Sequence, residues 1–428
     1  MNKGFSKEEV KTLALSSLGG TLEFYDFIIF VFFASYFSHH FFPSTLSEFW
    51  QELNTYGAFA AAYLARPLGG VVMAHFGDKF GRKNMFMLSI LLMVIPTFAL
   101  AVIPTYETIG YAAPIALLII RIFQGMAIGG ELPGAWVFVR EHSQDDKKGL
   151  FIGLLTSSVV GGILLGCIIA LIMQLNYTTE ELKEWAWRVP FALGGIFGII
   201  SLYLRRYLNE TPVFKKMQSS NSLVKLPIKE VFNEHKFGII ISIMITWVLT
   251  ACVVVFVLIM PNFAKVVLNI EPVTNTTIQM SGIIAMMLGC ISTGYLSDKF
   301  GIGRICKIFA ILWAILGTAY FYEVYIHKDM TLFKITYFLA CFSAGIMNFT
   351  PLIMLEIFPA RIRYSGISFS YNLAYAAAGF ITPILLPLLN KAALSEGVNP
   401  IFSLGGAVYI VAVAILAFIT ACLINKRM

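Results

Sequence analysis

Long apolar stretches recur along the whole chain and constrain its fold more than any other feature. A helix that crosses the hydrocarbon core of a bilayer needs about 20 predominantly apolar residues, whereas a spanning β-barrel uses shorter segments of alternating polarity. Because 58% of the residues are hydrophobic and only 13% are charged, much of the surface must face lipid. The sequence therefore predicts an all-α integral membrane protein with twelve transmembrane helices. The predicted spans cover residues 12–38, 55–76, 84–104, 112–138, 150–175, 188–207, 237–264, 276–297, 305–326, 332–355, 364–389 and 402–424.

Basic residues are distributed unevenly between the loops, and this asymmetry predicts the orientation. Loops on the cytoplasmic side of a membrane carry an excess of Lys and Arg. Twelve spans return both termini to one side, which we predict to be the cytoplasm. The loops of that side contain Lys79, Arg82, Lys83, Arg140, Lys147, Lys148, Arg205, Arg206, Lys215, Lys216, Lys299, Arg304, Lys307, Arg361 and Arg363. The opposite loops contain only Lys183, Lys265, Lys328, Lys334 and Lys391, with Arg188 at the edge of a span.

The longest polar stretch, 208–236, divides the spans into two sets of six. Similar sequences follow the second and the eighth span, so one loop recurs half a chain later: Gly77-Asp78-Lys79-Phe80-Gly81 and Ser297-Asp298-Lys299-Phe300-Gly301. We predict an N-terminal six-helix bundle at 1–207, a cytoplasmic linker at 208–236 and a C-terminal six-helix bundle at 237–428. The repeat indicates that the two bundles are related by pseudo-symmetry.

The repeated loops, with Arg82 and Lys83 completing the first, resemble the signature between the second and third helices of the major facilitator superfamily. In physical terms, Asp78 can face the positive end of a neighbouring helix, and the glycines allow a tight turn. Ala74 stands where the family's first glycine is usual, and Ile302-Gly303 displaces the arginine of the second loop to Arg304. The resemblance implies the major facilitator fold, with a solute site at mid-depth between the bundles.

Further motifs narrow the resemblance, most specifically in the first half of the chain. They are Leu22-Glu23-Phe24-Tyr25-Asp26-Phe27, Arg66-Pro67-Leu68-Gly69-Gly70, Arg121-Ile122-Phe123-Gln124-Gly125, Gly129-Gly130-Glu131, Arg188-Val189-Pro190-Phe191 and Glu210-Thr211-Pro212-Val213-Phe214. Together they resemble the metabolite:proton symporter family, which includes transporters of proline and betaine, α-ketoglutarate, citrate and shikimate. The resemblance implies a secondary active transporter in a bacterial inner membrane that carries a small carboxylate or zwitterion together with protons by alternating access. It also implies a functional monomer that needs no cofactor beyond the proton gradient.

Five ionisable side chains stand out inside the predicted spans: Glu23, Asp26, Arg66, Arg121 and Glu131. A charged residue at the bilayer centre costs about 3 kcal/mol or more, so each one requires a partner or a function. Glu23 and Asp26 lie three residues apart and share a helix face. Counting about 1.5 Å per helical residue from the loops places Asp26, Arg66 and Arg121 near one level. We expect two carboxylates and two guanidinium groups to balance there.

Asp26 is the predicted proton carrier, paired with Arg121 when ionised and released when protonated. Burial opposes ionisation of a carboxyl group and a nearby arginine favours it, so substrate bound at the arginine would switch protonation. The resemblance to proton-coupled sugar facilitators, which use a first-helix aspartate and a fourth-helix arginine, extends this role to both positions. Two alternatives stay open. The pair can be a fixed structural lock between two helices, or Glu23 can be the carrier.

Other polar side chains also receive candidate roles. Glu131 is predicted to be either a second proton site or a helix-packing hydrogen bonder, and the glycines around it favour packing. Gating is assigned to Asp78, Arg82, Glu141, Asp298, Arg304, Glu356 and Arg361. The candidate substrate-binding residues are Arg66, Arg121, Tyr25, Tyr63, Gln124, Trp247, Asn348, Tyr371, Asn372 and Tyr375. Arginines near aromatic rings suit a carboxylate-bearing solute, or a zwitterion if the rings also hold a quaternary ammonium.

Several classes of protein lack the residues that they would need. The sequence contains no Walker A pattern, no metal-ligand spacing and no nucleophile elbow, so it predicts neither an ATP-driven pump, an enzyme nor a metal site. The net charge of +7 is explained by the membrane orientation and implies no nucleic-acid partner. The remaining alternatives are a proton-driven exporter, a transporter-like nutrient receptor and a channel.

Overall fold

The structure is a computed structural model that describes residues 6–220, 222, 226–390 and 404–425. Over those residues the protein is all-helical. They form twelve helices that are long and apolar enough to cross a membrane, which confirms the predicted fold class. We number them α1 to α12: Lys7–His40, Glu48–Phe80, Arg82–Val102, Ala112–His142, Lys148–Asn176, Arg188–Arg205, Lys236–Val267, Pro272–Phe300, Ile302–His327, Met330–Ile357, Arg363–Leu386 and Gly405–Asn425. Lys391 and the first residues of the predicted span 402–424 lie outside the described part of the chain.

Many of the helices extend beyond the apolar stretches that predicted them. The second helix begins at Glu48 rather than near residue 55, and α4 continues to His142 rather than ending near 138. At the start of α1, the hydroxyl of Ser6 accepts a hydrogen bond from the Glu9 amide, and the Glu9 carboxylate accepts one from the Ser6 amide. This capping box satisfies the first amides in a polar segment. Hydropathy therefore locates the membrane-crossing part of a helix but not its polar ends.

The predicted linker contains two short helices, Pro212–Ser219 and Pro227–Glu234. The first begins with a proline directly after Thr211, whose hydroxyl accepts a hydrogen bond from the Phe214 amide. Proline suits this position because the first amides of a helix have no partner within it.

Contacts along the chain group its residues into two compact units, and the division runs through α5 and α11. The first unit consists of Met1–His142, Gly162–Glu234 and Pro359–Asn372. The second consists of Ser143–Gly161, His235–Phe358 and Leu373–Met428. Each unit therefore includes the beginning of one helix from the opposite half of the sequence. The boundaries of the two sequence bundles, at 207 and 237, stay a prediction.

Within the first unit, α2 and α4 approach each other closely at glycines. A Cβ atom at Gly125 would overlap the carbonyl oxygen of Ala62, and one at Gly129 would overlap that of Arg66. Gly125 and Gly129 are four residues apart and therefore share a face of α4. Such small residues let the backbones of two membrane helices meet. The same contact sets the position of Arg66 relative to α4.

The two repeated loops make the predicted tight turn. Gly81 separates α2 from α3 with a φ of 115°, and Gly301 separates α8 from α9 with a φ of 88°. A residue with a side chain is disfavoured at such positive φ with extended ψ, at a cost of about 1–3 kcal/mol. The glycines thus allow one helix to end and the next to begin at the following residue.

We predict that Gly129→Ala destabilises the first unit by about 1–3 kcal/mol, because its methyl group would overlap backbone atoms of α2. The matched control is Gly57→Ala on α2, where a Cβ atom would meet no atom of the described residues within 4 Å. Replacing glycine by alanine at such a position in a helix is neutral or stabilising. Thermal unfolding in detergent measures both. Equal unfolding midpoints for the two variants would contradict the close contact.

Candidate functional site

Asp26 lies in a buried hydrogen-bond cluster formed by α1, α3 and α4. Its Oδ1 accepts a hydrogen bond from the Thr97 hydroxyl at 3.0 Å, and its Oδ2 accepts one from Gln124 Nε2 at 2.8 Å. Arg121 Nη1 lies 3.6 Å from Asp26 Oδ2 and donates to Gln124 Oε1 at 2.7 Å. All four side chains are buried. The predicted Asp26–Arg121 pair is therefore present, and both oxygens of Asp26 have hydrogen-bond donors.

Helical spacing explains how this cluster is assembled. Arg121 and Gln124 lie three residues apart on α4, and Asp26 and Phe30 lie four apart on α1, so each pair shares a face. The Arg121 guanidinium carbon is 4.1 Å from the centre of the Phe30 ring. The first helix thus presents a carboxylate and an aromatic face to one arginine, and both interactions favour its charged form.

A second charge pair joins α1 to α2. Glu23 Oε1 lies 3.6 Å from Arg66 Nη2, and Glu23 is only 1% exposed. Among the described residues, no donor forms a hydrogen bond with either oxygen of Glu23. A buried carboxylate is costly unless it is paired and hydrogen-bonded. Glu23 and Asp26 therefore differ. Both face an arginine, but among the described residues only Asp26 has a hydrogen-bond donor for each of its oxygens.

Asn372, near the start of α11, holds Arg66 from another side. Its Nδ2 donates to the carbonyl oxygens of Gly129 and Ser368, each at 2.7 Å. These two bonds turn its Oδ1 toward Arg66, whose Nε donates to it at 3.4 Å. An amide side chain anchored in this way fixes the direction of the guanidinium group.

Two tyrosine rings flank the same arginine. The guanidinium carbon of Arg66 is 5.9 Å from the centre of the Tyr63 ring and 5.7 Å from that of Tyr371. The Tyr371 ring packs edge-on against Trp136, with 4.8 Å between the ring centres. The structure thus brings together four of the candidate substrate-binding residues: Arg66, Tyr63, Tyr371 and Asn372.

The other candidate substrate-binding residues are distributed over several places. Arg121 and Gln124 belong to the Asp26 cluster, whereas the Tyr25 hydroxyl donates to the Pro190 carbonyl at 2.7 Å. In the second unit, Asn348 Oδ1 accepts from Thr156 at 2.9 Å, Trp247 donates to the Tyr409 hydroxyl at 3.1 Å, and Tyr375 is buried. Their roles in substrate binding stay predictions.

Glu131 forms a third buried pair, with Arg205 at the end of α6. Both oxygens of Glu131 accept hydrogen bonds from Arg205, and Oε2 also accepts one from Ser89 at 2.5 Å. Arg205 further donates to backbone oxygens at 3.1 to 3.3 Å, those of Leu15, Ser16 and Phe86. Of the two roles considered for Glu131, this geometry favours helix packing.

The prediction for Arg205 was wrong, and Thr97 was not predicted. Arg205 was expected in a cytoplasmic loop, whereas its side chain is completely buried and belongs to α6. The neighbouring Arg206 is exposed, and the sequence contains no local signal that separates the two. The partner of Arg205 lies 74 residues away, and Thr97 lies 71 residues from Asp26. Neither contact follows from spacing within one helix.

The repeated aspartates bind the beginnings of two helices. Asp78 Oδ2 accepts hydrogen bonds from the amide and the hydroxyl of Ser365 on α11, each at 2.9 Å. Arg82 Nη2 lies 3.5 Å from Asp78 Oδ1 and donates to the Ala360 carbonyl at 2.6 Å, and Arg82 also pairs with Glu141. This is the contact with the positive end of a helix that the sequence indicates.

Asp298 makes the corresponding contact in the second unit. Its carboxylate accepts hydrogen bonds from the amides of Gly149 and Leu150, at 2.7 and 2.8 Å, where α5 begins. Close by, Lys148 Nζ donates to Glu356 at 2.7 Å.

The last two gating candidates have different surroundings. Arg361 Nε lies 2.7 Å from Glu230, whereas Arg304 is exposed. The seven gating candidates thus have different surroundings, and their roles stay predictions.

Comparison with known proteins places the chain in a family. The sequence model that describes the Major Facilitator Superfamily matches residues 28–383 of this chain. The chain belongs to this superfamily. It is 28% identical to the α-ketoglutarate permease of Escherichia coli K12, over 99% of this chain and 95% of the permease. It is 30% identical to the proline/betaine transporter of Salmonella typhimurium LT2, over 96% of this chain and 82% of that protein.

Solved structures of a xylose transporter share the fold. A proton:xylose symporter of the superfamily superposes with a TM-score of 0.78 at 16% identity, covering 98% of this chain and 96% of the symporter. The xylose transporter from E. coli in a partially occluded inward-open conformation gives a TM-score of 0.71 at 16% identity, covering 99% and 98%. With its family and twelve spans, this facilitator is a multi-pass membrane transporter and not an enzyme.

We predict that Arg205→Met destabilises the facilitator by about 3–5 kcal/mol, because it leaves Glu131 as a buried charge without its cation. The double variant Glu131→Gln/Arg205→Met removes both charges and should recover much of the loss. Arg206→Met is the matched control, because this neighbouring arginine is exposed. Thermal unfolding in detergent provides the measurement. A double variant less stable than Arg205→Met would show that the pair is not a packing lock.

Proposed function

We propose that this facilitator is a symporter that moves protons together with a small organic solute, a carboxylate or a zwitterion, by alternating access. The observation that carries the proposal is the buried Asp26–Arg121 pair with its hydrogen-bonded partners Gln124 and Thr97. A carboxyl group can take up and release a proton inside the membrane, and its arginine makes the two states differ in charge balance. The pair is therefore suited to couple proton movement to transport.

The cycle follows from the electrostatics of this pair. Ionised Asp26 neutralises Arg121, and protonation removes that attraction. The hydrogen bonds of Gln124 to Asp26 and Arg121 then rearrange, so one proton changes contacts on α1, α3 and α4 together. A conformational equilibrium shifts only as far as the two states differ in such contacts. Protonation thus favours one access state over the other.

The chemistry of the relatives supports the solute class. The relatives described above are named for α-ketoglutarate, a carboxylate, and for proline and betaine, which are zwitterions. All three solutes carry a carboxylate, for which an arginine side chain is a directional partner. Two buried arginines, Arg66 and Arg121, face the interior of the first unit.

We further infer the setting in which the symporter works. The bacterial origin of the relatives and the excess of basic residues in one set of loops support a bacterial inner membrane with both termini in the cytoplasm. The proton gradient would be the energy source, and the protein would act as a monomer in the lipid bilayer without a cofactor.

The direct test uses purified protein in liposomes with an internal pH dye and an imposed pH gradient. Proline, betaine, α-ketoglutarate, citrate and shikimate are supplied one at a time. Proton movement that depends on a solute would support symport and identify the solute class. Solute uptake that neither moves protons nor responds to the gradient would overturn the coupling. Counterflow, which only an alternating carrier shows, separates a carrier from a channel.

We predict that Asp26→Asn abolishes proton-driven accumulation but retains exchange of solute, because exchange needs no net proton transfer. Arg121→Ala should abolish both, since it also removes the cation of the cluster. Glu107→Gln, at an exposed position in the short helix Tyr106–Ile109, is the matched control. Accumulation and exchange of radiolabelled solute in liposomes give the two readouts. Accumulation by Asp26→Asn at the level of the unmodified protein would assign the proton to Glu23 or Glu131.

A further inference from the structure

The proposed coupling uses Asp26 and Arg121, and it does not use the second charge pair, Glu23 and Arg66, as a pair. This pair is as deeply buried as the first, yet its hydrogen bonding is incomplete on the side of the carboxylate. Glu23 lies 3.6 Å from Arg66 Nη2 and, among the described residues, accepts no hydrogen bond. A buried acceptor that lacks a donor costs about 1–3 kcal/mol, and more if it is charged. A structural lock such as Glu131–Arg205 shows no such deficit.

The rest of this site holds the arginine in a fixed direction. Asn372 is anchored by two backbone carbonyls and accepts a hydrogen bond from Arg66 Nε. Tyr63 and Tyr371 lie beside the guanidinium group. The orientation of Arg66 is thus set by protein contacts on several sides, and Glu23 is the nearby group whose oxygens still need donors.

A solute that satisfies both members of the pair needs an anionic end for Arg66 and a cationic end for Glu23. A carboxylate alone would bring a second anion beside Arg66 and would be repelled by Glu23. A cation alone would be repelled by Arg66. Resting on the symport function proposed above, we propose that Glu23 and Arg66 form a two-point subsite for a zwitterionic solute. Arg66 binds its carboxylate and Glu23 binds its cationic nitrogen.

The aromatic rings beside the pair fit this assignment. A positively charged nitrogen is attracted to the face of a tyrosine ring, and the attraction is larger where water is excluded. Tyr63 and Tyr371 already provide such faces next to the arginine. A quaternary nitrogen, which has no hydrogen to donate, would rely on these rings and on the charge of Glu23. A secondary ammonium would in addition donate to the oxygens of Glu23.

Two pairs of ligands isolate the contribution of the cationic nitrogen. Proline and cyclopentanecarboxylate have the same ring size and carboxylate, and glycine betaine and 3,3-dimethylbutanoate have the same branched end. Within each pair, only the first ligand carries a positive charge. Binding to the purified full-length protein is measured by calorimetry in detergent without a proton gradient. We expect at least one zwitterion to bind at least tenfold more tightly than its carboxylate partner.

Variants of the pair test which residue binds the carboxylate of the solute and which binds its cationic nitrogen. Glu23→Gln should weaken the preferred zwitterion at least tenfold and should not weaken its carboxylate partner, so that the preference disappears. Glu23→Asp keeps the charge and should keep the preference. Arg66→Gln should weaken both ligands. Glu107→Gln, at an exposed position in the short helix Tyr106–Ile109, is the control. Because single substitutions leave one buried charge unpaired, Glu23→Gln/Arg66→Gln serves as a charge-balanced variant that should fold and bind neither ligand.

Several outcomes would overturn the subsite. They are tighter binding of the carboxylate partners by the unmodified protein, binding of neither zwitterion, and a zwitterion preference that survives in Glu23→Gln. Tighter carboxylate binding in Glu23→Gln, with no zwitterion preference in the unmodified protein, would instead identify Glu23 as a competitor for Arg66. The proposed symport and the proposed Glu23–Arg66 subsite can be rejected independently of each other. Proton movement driven only by simple carboxylates would retain symport and reject the subsite, whereas zwitterion preference without proton movement would do the reverse.

Discussion

A charged side chain inside a membrane-crossing helix needs a partner, and the first unit of this facilitator is organised by that requirement. Three carboxylates on α1 and α4 each face an arginine, and each pair links two helices. Because a lone charge in the hydrocarbon is so costly, every pair fixes which faces of its two helices meet. Close packing at glycines of α4 then brings the backbones into contact. The pairs are Asp26–Arg121, Glu23–Arg66 and Glu131–Arg205.

The three pairs differ in how completely they are hydrogen-bonded, and the roles proposed above for them follow this difference. Arg205 binds backbone carbonyls as well as Glu131, so it cannot move without breaking helix contacts. Asp26 is satisfied by the side chains of Thr97 and Gln124, which can rotate. Glu23 has an arginine nearby but accepts no hydrogen bond from the residues that the structure describes. The fully hydrogen-bonded Glu131–Arg205 pair therefore suits a structural role. The Asp26 cluster, whose side chains can rearrange, suits proton transfer, and the incompletely hydrogen-bonded Glu23–Arg66 pair suits solute binding.

The sequence predicts the features that depend on local spacing or on repetition. Twelve apolar stretches define the helices, and the duplicated loops reveal Asp78 and Asp298 as related positions. The Asp26–Arg121 pair was predicted because charges near one membrane level must balance. Thr97 and Arg205 were not predicted, because their partners lie in distant helices and a single sequence does not fix helix faces. For the same reason, the candidate substrate-binding residues formed one set in sequence but occupy several places in the structure.

The repeated aspartates also explain why the compact units differ from the halves of the sequence. Asp78 binds the beginning of α11, and Asp298 binds the beginning of α5. The amides at a helix start have no partners within the helix and attract negative charge, so a buried carboxylate there holds the helix start firmly. Each aspartate therefore recruits the start of one helix into its own unit, while the rest of that helix packs in the other. The duplicated sequence thus makes the same kind of contact twice, once in each unit.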